Sequence, residues 1–149
     1  MTMSSFDRVM TAIGQNEPDR VPYMLLLTMH GAKELGMSIR QYFSKAENVV
    51  EGQSRMVLRY GHDCLYPFFY APVEVEAWGS DVIYYEDGPP NTGRPFLTKE
   101  GIGTLEAPEV QSSKPLSKVL KAQSALRKRF GSEYPIIGVA MSPFSLPVM

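Results

Sequence analysis

Three short, nearly continuous apolar runs constrain this chain more than any other feature. They cover residues 23–28, 64–69 and 135–141. None alternates polar with apolar residues, as a strand with one wet face would. Runs of this kind suit strands buried on both faces, as in a parallel sheet covered by helices. The stretches between them have helical periodicity. Phe6, Val9, Met10 and Ile13 recur at helical spacing behind Ser4 or Ser5, either of which can cap a helix that Gly14 ends. Ser38 caps a brief helix through Tyr42. Ser44 is expected to cap a longer one carrying Val49, Val50, Met56, Val57 and Tyr60 and stopping at Gly61. Pro72 opens a helix through Trp78, closed by Gly79, and residues 116–130 form another before Gly131. Residues 81–85 and 95–98 flank a Gly-Pro-Pro-Asn-Thr-Gly cluster and are expected to pair as a hairpin lying outside the sheet.

Apolar strand, helices, apolar strand, helix, hairpin, helix, apolar strand is the grammar of a parallel α/β sheet or barrel. The three strands should be parallel and adjacent in chain order. With 149 residues ending just after the third run, residues 1–149 are expected to be the N-terminal part of a larger barrel domain, incomplete as they stand.

Composition narrows the function classes. The chain is 44% hydrophobic and 21% charged, with a formal net charge of −1, so neither a nucleic-acid partner nor a membrane surface is expected. The cations at 118, 121, 127, 128 and 129 fall in one amphipathic stretch and read as a solvated helix face. The runs are too short to span a bilayer and no secretory signal opens the chain, so the expected location is cytoplasmic. One cysteine excludes an intrachain disulfide. One cysteine and two histidines are too few for a tetrahedral zinc site, and the isolated chain is expected to bind no structural zinc. His62 and Cys64 form a His-x-Cys pair, but it leads into the second run rather than leaving it.

Three blocks carry a family resemblance. Phe6-Asp-Arg-Val-Met-Thr-Ala-Ile-Gly-Gln-Asn-Glu-Pro-Asp-Arg-Val-Pro22 is similar to the opening of uroporphyrinogen decarboxylases and of methylcobamide:coenzyme M methyltransferases. Val73-Glu-Val-Glu-Ala-Trp-Gly79, with the acidic turn at Glu86, resembles the block after their second strand. Pro135-Ile-Ile-Gly-Val-Ala-Met-Ser-Pro-Phe-Ser-Leu146 resembles their third strand and its loop. The resemblance spans essentially the whole chain and implies an α/β fold: the N-terminal portion of a (β/α)8 TIM barrel with a β-hairpin excursion.

In such barrels the active site lies at the C-terminal ends of the strands. The resemblance implies that decarboxylases hold a carboxylate-rich tetrapyrrole with an arginine after strand one and an aspartate after strand two. By spacing, Leu27 and Tyr70 stand in those places. Both changes remove charge that the tetrapyrrole would need. Glu74 and Glu76 match the acidic helix of the methyltransferase branch; two apart, they do not share a helix face and read as capping or pairing carboxylates.

The resemblance therefore implies, for the full-length protein, methyl transfer between a corrinoid and a small thiol or other acceptor. Its cofactors would be a corrinoid (cobalamin) and zinc, the zinc ligands lying outside this chain. Its partners would be a small-molecule substrate and a corrinoid protein. The alternatives are a uroporphyrinogen decarboxylase and a catalytically inactive binding or accessory fragment. No catalytic residue is assigned. The expected binding residues are Tyr70, with its hydroxyl facing the cavity, its strand-mate Phe68, His30 after the first run, and Ser142. His30 either touches ligand or bonds locally; the Ser142–Ser145 loop either binds an anion or caps a helix. The Asp19-Arg20 pair is expected to fix the entrance to the first run, at the opposite face.

Overall fold

Ser4 starts the first helix, its side chain accepting from the Asp7 N–H at 3.0 Å. In the computed structural model, which describes residues 2–67, 69–142 and 145, this helix is α1 (Ser5–Ile13). α2 (His30–Leu35) and α4 (Ala46–Tyr60) end on Gly36 and Gly61, each in the left-handed conformation that glycine adopts without cost. α3 (Ile39–Ser44) opens with a reciprocal capping box between Ser38 and Gln41. Lys45, not Ser44, precedes α4: Ser44 stays in the last turn of α3, where its hydroxyl bonds the Gln41 carbonyl. α5 (Val73–Ala77) follows Pro72, and α6 (Lys114–Phe130) closes at Gly131.

Among the described residues the three apolar runs form no regular strand. The second run occupies the middle. Leu65 and Ile136 make a parallel bridge: the Leu65 N–H donates to the Pro135 carbonyl at 2.8 Å, and the Ile137 N–H donates to the Leu65 carbonyl at 2.9 Å. On the other side the Asp63 N–H donates to the Tyr23 carbonyl at 2.8 Å. The neighbour relations therefore follow chain order, and the pairing of the second and third runs is parallel. The ladder stops there because Pro67 in the second run and Pro135 in the third lack the N–H a central strand needs. The first run leaves Tyr23, Met24 and Leu26 exposed, without the two-sided cover that stabilises a parallel strand. The hairpin is also shorter than expected: β1 (Val82–Ile83) pairs antiparallel with β2 (Asn91–Thr92), not with residues 95–98. Pro95 has no N–H to offer, and the Gly93 N–H already returns to the Asp81 carbonyl.

Helices supply the packing. Tyr42, Phe43, Val49, Phe69, Tyr70 and Ala122 form one buried cluster, and Val57, Leu65 and Leu126 another. The Tyr66 N–H donates to the buried Gln53 Oε1 and fastens the second run to α4.

A buried ion network holds the N-terminal ends of the first two runs. Asp63 is 0% exposed and accepts from Ser5 Oγ, Arg8 Nη1, both terminal nitrogens of Arg20 and the Tyr23 N–H, at 2.7–3.0 Å. Arg8 also holds Asp19 at 2.6 Å. The Asp19-Arg20 pair thus does fix the entrance to the first run. Burial alone would raise the Asp63 carboxyl, but the bonds from Arg20, Tyr23, Arg8 and Ser5 outweigh it and hold it below the usual range. Asp19 is lowered chiefly by Arg8. Carboxyls depressed in the folded state stabilise it fully above their unfolded values, near 4, and lose that contribution as pH falls through the lower folded values. The melting temperature is therefore expected to hold between neutral pH and about 5 and to drop steeply below about 4. Calorimetry across that range checks it. In Asp63→Asn, whose starting stability is lower, the acid-side drop should be shallower.

Candidate functional site

At the C-terminal end of the first run a cavity of about 330 Å³ opens beside α2. Its wall is mostly apolar, from Leu26, Leu27, Met29, Met37 and Ile39, with Thr28 among them. The tip of the hairpin, residues 86–88, forms the opposite rim and brings Glu86 and Asp87 to its edge. Lys33 is the one lysine or arginine among the lining residues. The chemistry on offer is burial of a small, largely apolar ligand with charge confined to the rim, in a volume at the low end of ligand pockets.

Of the three expected site residues that are described, Tyr70, His30 and Ser142, His30 alone lines this cavity. Its Nε2 is turned toward α4, 3.0 Å from the Tyr60 hydroxyl and 3.4 Å from Glu34 Oε1. Tyr60 in turn donates to Glu34, which Arg59 also holds at 2.9 Å. That polar edge is therefore bonded locally, the blander of the two readings for this residue. Ser142 makes a turn of its own: its Oγ accepts from the Ser145 N–H at 3.1 Å and lies 2.9 Å from Ser145 Oγ. Phe68 lies outside the described residues.

Tyr70 corrects the expectation placed on it. It is 2% exposed and packs edge-on to Phe43, Phe69 and Tyr84 within the helix-side core, rather than turning its hydroxyl into the cavity. That hydroxyl donates to Glu76 and receives Lys118 Nζ at 3.4 Å. Burial, then the Glu76 carboxylate, push the phenol far above its ordinary value, so it stays a neutral donor. The physical reason for the change lies in Lys118. The cationic face of α6 is not uniformly solvated: Lys118 turns inward to the Phe43 carbonyl at 3.3 Å, and its burial pulls the ammonium down. A phenol between a carboxylate and an ammonium is better satisfied there than in an apolar cavity. Tyr70→Phe is therefore expected to cost about 1–3 kcal/mol of stability by leaving the Glu76 carboxylate short of a donor, read as a lower urea midpoint. Ligand affinity should not change with it.

Glu74 and Glu76 serve different partners, as two carboxylates on different helix faces must. Glu74 accepts the Met141 N–H at 3.0 Å and ties α5 to the end of the third run. Sequence reasoning missed the closure of the cavity by residues 86–88. The acidic turn there was visible in the sequence, but nothing local shows that it reaches back to the first run.

The described residues do not make a metal centre. No three His, Cys, Asp or Glu among them converge on a point where an ion could sit. His62 and Cys64 are both buried, with His62 Nδ1 donating to the Cys64 carbonyl at 2.7 Å. Burial pushes the Cys64 thiol up, the opposite of what a thiolate ligand requires. Among the described residues no helix is long and apolar enough to cross a membrane.

The sequence profile of uroporphyrinogen decarboxylase (URO-D) matches residues 4–149. Among solved structures the fold is similar to that of a methyltransferase from Methanosarcina mazei, with a TM-score of 0.82 and 17% sequence identity. The match covers 97% of this chain and 44% of that one, so this chain spans less than half of that structure's length. No curated protein matches the chain. At this identity the likeness establishes a shared mixed α/β fold and leaves the chemistry to the site.

Proposed function

The chain belongs to the uroporphyrinogen decarboxylase family, and from that premise we propose that it forms the N-terminal part of a (β/α)8 barrel enzyme that transfers a methyl group. The transfer runs between a corrinoid and a small thiol or other acceptor. The observation that carries this reading is the wall of the cavity at the end of the first run. Leu27 lines it where, by the resemblance, a decarboxylase would present an arginine to the substrate carboxylates. A leucine there cannot pair with a carboxylate, and a tetrapyrrole bearing several would enter at a large desolvation cost. Tyr70 supports the same reading. It stands in the place of the aspartate for pyrrole N–H groups, yet its hydroxyl already donates to Glu76 inside the core.

A small acceptor fits this surface better. Leu26, Leu27, Met29 and Met37 would exclude water from its apolar body, while Thr28 and the charged rim would orient its polar end. Zinc and the corrinoid are proposed for the whole protein, with the metal ligands outside this chain. When bound, zinc would lower the pKa of a thiol acceptor. A cytoplasmic location and a corrinoid-protein partner belong to the same proposal.

Optical titration of the whole protein with methylcobalamin separates this reading from that of an inactive accessory fragment. A saturable change in the corrinoid spectrum is expected. An unchanged spectrum at all protein concentrations would remove the corrinoid from the proposal.

A further inference from the structure

His30 stands where the cavity meets α4, and its ring is held by one edge only. The side chain is 33% exposed, and the residue lines the cavity. Nε2 lies 3.0 Å from the Tyr60 hydroxyl and 3.4 Å from Glu34 Oε1. Nδ1, across the ring, has no hydrogen-bond partner among the described residues.

The contacts of Nε2 decide where the ring hydrogen sits. The Tyr60 hydroxyl donates its proton to Glu34 at 2.7 Å. That bond pushes the phenol up, so the proton stays on it. Toward Nε2 the phenol oxygen can then only accept. Glu34 is held ionised, lowered first by Tyr60 and next by Arg59, so it too can only accept. With two acceptors beside Nε2, a neutral ring carries its hydrogen there and keeps a lone pair on Nδ1. His62 is the reverse case: its Nδ1 faces the Cys64 carbonyl at 2.7 Å, which fixes the hydrogen on Nδ1.

We propose that His30 Nδ1 takes the proton of a small thiol bound in the cavity, with Glu34 and Tyr60 as its positioning residues. The assignment rests on the reading of a small thiol as the methyl acceptor. In this step the S–H bond breaks, the proton passes to Nδ1, and the bonding pair stays on sulfur as the thiolate. The imidazolium so formed is balanced by Glu34, in the way an orienting carboxylate supports a histidine base. The other charged groups at the cavity are Lys33 on α2 and Glu86 and Asp87 at the hairpin tip.

Imidazole nitrogen NMR tests this simply, because the chain has only two histidines. In the full chain with nitrogen-labelled histidine, the neutral His30 ring should be protonated at Nε2 and the His62 ring at Nδ1. His30→Gln identifies the signals by their loss, and through-bond correlation to the backbone assigns them if that variant does not fold. Added 2-mercaptoethanol should shift the His30 Nδ1 resonance saturably and leave both His62 nitrogens unmoved. Glu34→Ala leaves the Tyr60 proton free to turn toward Nε2, so the His30 ring should become a mixture of tautomers. A His30 ring protonated at Nδ1, an Nδ1 resonance indifferent to the thiol, or a tautomer unchanged by Glu34→Ala would overturn the proposal. None of these readouts requires methyl transfer. A thiol-responsive Nδ1 in a protein that makes no thioether keeps the His30 assignment and removes the methyl-transfer reading. Thioether formation with a silent Nδ1 does the reverse.

Discussion

Replacing Asp63 by alanine is expected to lower folding stability by about 3–5 kcal/mol, the cost of breaking a buried ion network by removing one partner. Two guanidinium groups, from Arg8 and Arg20, converge on this carboxylate together with the Tyr23 N–H. Arg8 is itself buried, so its charge would remain inside without half of its counter-charge. Domains of this size hold only about 5–15 kcal/mol in all, so the loss is a large fraction of the total. Urea unfolding followed by circular dichroism measures it. Asp63→Asn should fall close to the alanine variant, because an amide oxygen cannot balance two cations. A loss below about 1 kcal/mol would mean that the network merely decorates the fold.

The second large effect is expected at Gly52. Here α2, α3 and α4 meet around the ring of Tyr42, which is fully buried with its hydroxyl end against Gly31 of α2 and Gly52 of α4. A methyl group on Gly52 would lie 2.6 Å from Tyr42 Cε2 and 3.0 Å from the Gly31 Cα, closer than packed atoms tolerate. Gly31 lies beside Gly52, and a methyl there would overlap the same hydroxyl end of the ring. The ring is fully buried, so it cannot swing out to make room. Gly52→Ala is therefore expected to cost about 3 kcal/mol by overpacking. Shortening the ring position with Tyr42→Leu should restore part of that loss in the double variant, although alone it destabilises. A double-mutant cycle on urea midpoints reads the coupling directly. Additive losses would show that glycine at 52 is not there to admit the ring.

How much of this was legible in the sequence depended on whether the signal was local. Ser4, the Ser38–Gln41 box, Pro72 and the terminal glycines announced helix ends, and α1, α3, α5 and α6 begin and end within a residue or two of expectation. The order of the three apolar runs was legible too, because each is apolar throughout and helices separate them. Their lack of regular strand structure was also written in the chain, in Pro67 and Pro135, and should have lowered the expectation. Tyr70 was not legible. Strand alternation assigns it a side, but its true partners are Lys118 and Glu76, and only the folded chain shows that one lysine of a basic helix turns inward. The cavity was half legible: Leu27 and His30 were expected near it, whereas the closure by residues 86–88 is a long-range contact without a local mark.

Turnover by the whole protein tests the functional account most directly. It is supplied in parallel with methylcobalamin, zinc and a small thiol, and with a porphyrinogen bearing several carboxylates. The account predicts a methyl thioether, identified by mass spectrometry, from the first mixture and no carbon dioxide from the second. Carbon dioxide from the porphyrinogen with no thioether from the thiol would contradict it.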